Sequence, residues 1–179
     1  MDRYVALLRG INVGGKNKLS MSELKEELKK DEFTDVVTYL NSGNVIFSSN
    51  REDPQILANK MRTRIKLGFE LDIPIHVVLQ AELKELLANA PEWWGDENKE
   101  IYDNVIFMMK PLSFEVLLTE IGEPKADFER VYPYKDIVFW SFIRKDHQKT
   151  NWWAKTAKPK VKDQLTIRTA NTVRKIVDM

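Results

Sequence analysis

Two short apolar runs, Val36–Leu40 and Val45–Ser48, are separated only by Asn41-Ser42-Gly43-Asn44. A tetrad of that composition between strand-like runs is a tight turn, with Gly43 or an asparagine at positive φ. The segment is therefore a β-hairpin, and it constrains everything around it. Upstream, Tyr4–Arg9 reads as a strand that ends in the loop Gly10-Ile11-Asn12-Val13-Gly14-Gly15-Lys16. So many glycines in so few residues exclude a helix interior. Ser20 caps a first helix, with Glu23 three residues on as a capping box. Met21, Leu24 and Leu28 then fall on one face. After the hairpin, Asp53-Pro54 opens a second helix, a cap followed by proline at the first position. Leu57, Met61 and Ile65 form its apolar stripe, and Phe69 completes it. Ile73–Leu79 is a fourth strand, placed at a sheet edge by Pro74, which has no N–H for a ladder. The order through Leu79 is βαββαβ.

A similar order follows. Ala81–Ala90 is a helix, and Pro91–Asp103 is an acidic loop that holds Trp93-Trp94-Gly95. Val105–Met109 is a strand. Phe114–Ile121 is a helix capped by Ser113 and stopped by Gly122. Phe128–Tyr132 and Ile137–Ile143 form a second hairpin that turns at Pro133–Asp136. A helix around Asn151–Lys155, a lysine-rich connector, a strand at Leu165–Arg168 and a helix over Thr172–Val177 complete the chain. The expected class is α+β: two ferredoxin-like (βαββαβ) halves, each an antiparallel sheet with its helices on one face. Residues 1–79 form the first half. Residues 80–179 form the second, with additional helices and a basic C-terminal segment. Val5, Leu7, Ile46, Val105 and Phe139 are expected to be buried. Each half would leave one sheet face bare, which calls for pairing or for cover by the extra helices.

Composition removes many functions. The 179 residues are 43% hydrophobic and 31% charged with a net charge of +1, which is not the profile of a disordered chain. There is no cysteine, so disulfides, Fe–S clusters, thiolate zinc sites and cysteine nucleophiles are excluded. The two histidines, His76 and His147, leave little for a metal site or a relay. No cofactor and no metal set is indicated. The apolar stretch at Tyr4–Leu8 is too short for a signal peptide. No run approaches the length of a membrane span, so a cytoplasmic protein without a membrane partner is expected.

The stretch Tyr4-Val5-Ala6-Leu7-Leu8-Arg9-Gly10-Ile11-Asn12-Val13-Gly14-Gly15, together with Asn41-Ser42-Gly43-Asn44-Val45, resembles the family called domain of unknown function 1697 (DUF1697). Thr166-x-Arg168-x-x-Asn171-Thr172-Val173 is similar to that family's C-terminal block. Here Thr169 and Ala170 stand where the family usually has Asn and Trp. The resemblance implies two ferredoxin-like halves and no known activity. Its recurrent residues carry over as Arg9, Gly10, Asn12, Gly14, Gly15, Asn41, Gly43 and Asn44.

Three candidate sites emerge. The first is the glycine loop. Gly10-x-x-x-x-Gly15-Lys16 matches the opening of a phosphate-binding P-loop, but Asn17 replaces the magnesium-ligating hydroxyl and the antiparallel pattern is the wrong fold. What remains is either an anion nest flanked by Arg9 and Lys16 or a turn shaped by glycine. The second is the Asn41–Asn44 turn. In a βαββαβ unit it lies at the sheet end where the first strand exits. Arg9, Asn12, Gly14, Gly15, Lys16, Asn41, Ser42 and Asn44 are therefore the candidate ligand-binding set, unless the amides only cap their own turns. The third is the segment 144–179, which carries +7 and leaves −6 on the rest of the chain. Trp152 among Lys149, Lys155 and Arg168 suits nucleic-acid stacking, or else the tryptophan packs into the core.

Catalytic arrangements are weak. Ser42 lacks a nucleophile-elbow context. His147 beside Asp146 has no evident nucleophile, and the pairs Glu26-Glu27 and Asp96-Glu97 have no partner chemistry. The leading expectation is a binding module for an anionic small molecule or single-stranded nucleic acid, using the Gly10–Lys16 loop and the Asn41–Asn44 turn. The alternatives are a small enzyme acting on a polar metabolite at the cleft between the halves, and an interaction module that uses sheet faces or Trp93-Trp94.

Overall fold

The computed structural model describes residues 1–179. The chain forms two compact units, residues 1–84 with 175–179, and residues 85–174. The end of the chain thus belongs to the first unit, not to the second half to which its position in sequence assigned it.

In the first unit, β1 (Asp2–Leu8), α1 (Met21–Leu28), β2 (Thr34–Tyr39), β3 (Asn44–Ser49), α2 (Pro54–Phe69) and β4 (Ile75–Leu79) follow one another, and α3 (Gln80–Ala88) begins directly after β4. The sheet order is β2-β3-β1-β4, antiparallel throughout, with Val5 opposite Ile46 and Val78. This is the ferredoxin-like order, and β4, entered from Pro74, is an edge strand. The helices start where the caps place them. The Ser20 hydroxyl accepts from Glu23 N–H at 3.4 Å, and Asp53 accepts from Gln55 N–H at 2.7 Å ahead of Pro54. Strand alternation sends Tyr4, Ala6, Leu8, Val45 and Phe47 into one core with Leu24, Leu28, Leu57, Met61 and Ile65 of the helices. Val5, Leu7 and Ile46 alternate to the other face and are also fully buried.

The second unit repeats the plan with β5 (Ile101–Met108), α4 (Phe114–Ile121), β6 (Glu129–Tyr134), β7 (Ile137–Ile143), the short α5 (Trp152–Lys155), β8 (Leu165–Thr169) and α6 (Ala170–Ile176). A 3₁₀ segment over Arg144–Lys149 joins β7 to α5. The sheet order is β6-β7-β5-β8, again antiparallel. Ile106, Met108, Val138, Trp140 and Phe142 share a core with Leu117, Ile121 and Trp152. Val105 and Phe139 are buried on the opposite face, where Trp94 meets Phe139 edge-on at 5.0 Å.

Several boundaries shift by a residue or two from the sequence expectation, and three in the second unit have a clear physical reason. β5 starts at Ile101, inside the supposed acidic loop, because the buried Asp103 is satisfied by the Ser141 hydroxyl and so does not end the strand. The β6–β7 turn is Lys135-Asp136 alone, with Lys135 at φ 49°, and Pro133 is tolerated because β6 lies at the sheet edge. α6 begins at Ala170, directly after β8, so Thr172 lies within its first turn. No helix is long and apolar enough to cross a membrane.

Candidate functional site

The exit of β1 and the β2–β3 turn meet at one sheet end because the two strands are antiparallel neighbours, with Leu7 opposite Asn44. Beyond β1 the glycine loop closes on itself as a miniature hairpin. Asn12 N–H donates to Asn17 O at 3.1 Å, and Lys16 N–H donates to Val13 O at 3.0 Å. Gly14 and Gly15 occupy its two central positions at φ 57° and 74°, the pair of left-handed values that a two-residue hairpin turn requires. α1 begins only at Met21, so the helix does not rise from Lys16 as it would in a P-loop.

Asn12 joins the loop to the turn. Its Nδ2 donates to Leu19 O and to Asn41 O, both at 2.9 Å, and its Oδ1 accepts from Leu19 N–H at 2.8 Å. Gly43 holds the other side of the junction. Leu8 N–H donates to Gly43 O at 2.8 Å, and a Cβ at Gly43 would lie 2.7 Å from Leu8 Cβ. No side chain fits there.

An open groove of about 600 Å³ follows from this junction, lined by Asn12, Gly15, Lys18, Leu19, Ser20, Met21, Ser22 and Asn41. It has one cation and no carboxylate. The Ser20 and Ser22 hydroxyls lie 2.9 Å apart at the start of α1. Of the expected binding set, Asn12, Gly15 and Asn41 line the groove. Arg9, Gly14, Lys16, Ser42 and Asn44 do not. Asn44 is fully buried and holds the turn instead, donating to Tyr39 O at 2.8 Å and to Ser42 Oγ at 3.2 Å. Arg9 is half-buried, and its N–H is tied to Pro74 O at 3.0 Å.

The nucleic-acid set at the basic end does not form one surface. Trp152 is fully buried, its indole N–H donating to Gly122 O at 2.9 Å, so its ring is closed to a base. Arg168 is buried in β8 and donates to Thr166 Oγ1 at 2.8 Å. Lys149 pairs with Asp146 at 2.9 Å, and Lys155 is half-buried. The exposed ring in this region is Trp153, 44% exposed and edge-on to His147 at 4.8 Å.

The second unit holds a cavity of about 570 Å³ that the sequence did not indicate, where β5 enters its sheet and β8 leaves it. Asp103 lines it, buried, accepting from the Ser141 hydroxyl and the Gly95 N–H. Burial pushes the Asp103 carboxyl above its ordinary range, against the pull of the Ser141 hydrogen bond. Arg174 donates to Gly95 O at 2.5 Å and lies 5.4 Å from the centre of the Trp94 ring. Arg144 stacks 4.5 Å from the centre of the Tyr102 ring and donates to Lys99 O at 3.3 Å. These residues come from three separated stretches, around 94–103, 141–144 and 169–174, so no local motif announces them. Trp93-Trp94-Gly95, the Asp96-Glu97 pair and Asn171 were the hints in the sequence.

A family described as "Protein of unknown function (DUF1697)" matches residues 1–139. The chain belongs to the DUF1697 family. No curated protein matches it. Among solved structures, this DUF1697 chain is similar to the conserved bacterial protein SP0830 from Streptococcus pneumoniae. The two share 29% identity with a TM-score of 0.84, over 99% of this chain and 97% of the other. The DUF1697 match covers the glycine loop, the Asn41–Asn44 turn and strand β5 with Asp103, and stops short of Ser141, β8 and α6.

Proposed function

We propose that the chain is a binding module for a small anionic ligand, held in the groove between the glycine loop and the Asn41–Asn44 turn. The observation that carries this reading is the Asn12 bridge, which fixes Lys18, Ser20, Ser22 and Asn41 around one groove without a carboxylate among them. Lys18 supplies the charge. The two serine hydroxyls, the Asn41 amide and the backbone N–H groups at the start of α1 supply donors. An oxyanion, such as the phosphate of a nucleotide, suits that donor set. The glycines act upstream of binding: they let the loop turn tightly enough for Asn12 to reach Asn41.

Calorimetric titration with pyrophosphate tests the reading. Saturable binding is expected at low salt, weakened by about ten- to a hundredfold by Lys18→Ala, as for loss of one charged hydrogen bond of about 1.5–3 kcal/mol. Lys18 is exposed, so the melting temperature should not move. Absence of binding, or binding indifferent to Lys18, overturns it.

A further inference from the structure

The cavity of the second unit is built differently from the groove of the first, and it makes a different demand on a ligand. None of its cations Lys99, Arg144 and Arg174 forms an ion pair with its carboxylates Asp96, Glu97 and Asp103, and Arg174 acts on Asp103 only from a distance. Lys99 and Arg144 therefore face the same space as the carboxylates without being paired to them. A ligand that satisfies both needs an anionic end and, some distance away, a donor end.

We propose that this cavity binds a purine mononucleotide of the guanine type, with Asp103 reading the base and Lys99 and Arg144 holding the phosphate. Asp103 is more than nine-tenths buried, so little water reaches its remaining acceptor positions. A carboxylate offers about four acceptor positions. Ser141 and the Gly95 N–H occupy part of that capacity, which leaves about two. Guanine presents two adjacent N–H donors on one edge, the pattern that fills them. Adenine offers one donor group beside a ring acceptor, and that acceptor would face the carboxylate unpaired.

The surroundings fit a base as well. The Asp103–Ser141 pair lies where the main cavity meets a smaller one of about 290 Å³, which shares Asp96 and Ile101 with it. Trp93 and Phe128, both half-buried, line the smaller space and provide the aromatic faces on which bases stack. In the same cavity, the Arg144 guanidinium is held over the Tyr102 ring and donates to the Lys99 carbonyl. A planar, pre-oriented guanidinium is suited to a phosphate. The volume lies within the range of small-molecule sites.

Calorimetric titration of the full chain with guanosine 5′-monophosphate, adenosine 5′-monophosphate and guanosine tests this. The guanine nucleotide should bind at least tenfold more tightly than either comparison ligand. That ranking needs no variant, so a folding defect cannot obscure it. Asp103→Asn keeps the shape and should abolish the preference over the adenine nucleotide. Arg144→Ala, on an exposed residue, should reduce the guanine nucleotide to the affinity of guanosine while keeping the base preference. Lys18→Ala should change none of these values, which separates this site from the groove of the first unit. Equal affinity for the two nucleotides, no binding at millimolar ligand, or binding indifferent to both Asp103→Asn and Arg144→Ala overturns the proposal.

Discussion

Asp103 shows how a single residue can mislead sequence reading and still organise a site. A charged residue ahead of an apolar run looks like loop, and here it marks the interior of β5 because Ser141 stands opposite it across the ladder. Nothing local in the sequence pairs those two positions. The same burial sets the sign of a pH effect. The carboxyl titrates above its ordinary range in the folded chain, so the folded state binds the proton more tightly than the unfolded state. Its contribution to stability is fully present below the ordinary Asp pKa and is lost as pH rises through the raised folded value. Asp103→Asn should remove that slope, leaving the variant at least as stable as the parent at neutral pH. Urea unfolding of both chains across the acid-to-neutral range measures it. A variant that loses stability on going from acid to neutral pH as the parent does would show that Asp103 is not the group responsible. Asn12 is the opposite case. Its place in a glycine loop made it a candidate from the sequence, and its three hydrogen bonds are the joint between loop and turn.

At the scale of elements, what was legible was punctuation. Ser20, Asp53-Pro54, Ser113 and Gly122 mark helix ends by local chemistry that needs no tertiary partner, and each stands where expected. Strand starts and the short α5 were less legible, because they depend on what packs against them. Trp152-Trp153 is the clearest example: adjacent residues of the same type, one fully buried and one exposed. The four-residue helix α5 is held less by its own hydrogen bonds than by Trp152. That indole reaches Gly122 O at 2.9 Å and packs 6.3 Å from the Trp140 ring. Glu129 adds to this by accepting from Asn151 N–H at 2.7 Å and from the Trp140 indole at 3.1 Å. Trp152→Ala should therefore cost about 3–5 kcal/mol, as for a large aromatic removed from a packed core. Trp153→Ala should cost under about 1 kcal/mol. Denaturant titration distinguishes them, and equal losses would mean that α5 is not anchored through Trp152.

Over the whole molecule the charge is nearly balanced at +1, yet residues 144–179 carry +7. The structure reduces what that excess offers a polyanion. Lys149 is paired with Asp146, Lys160 lies 3.5 Å from Glu120, Arg168 is buried, and Arg174 sits over Trp94. Arg144 lies over Tyr102, Lys175 is far along the chain from Trp153, and Lys145, Lys155, Lys158 and Lys162 are the cations nearer the exposed Trp153 in sequence that have no carboxylate partner. A single strand engaging those four would release counterions at about 0.7 per contact, a slope of log affinity on log salt of roughly −2.8. Engagement of the full excess would make the slope far steeper. Gel-shift titration with single-stranded RNA and DNA over a range of salt should therefore give weak retention with a shallow slope. Trp153→Ala should lower it by about 1–3 kcal/mol through loss of a stacked base. Trp152→Ala, where the chain still folds, should leave it unchanged, since that ring never meets solvent. Retention that ignores salt, or that ignores Trp153, would mean that this basic segment is solvated surface with no nucleic-acid role.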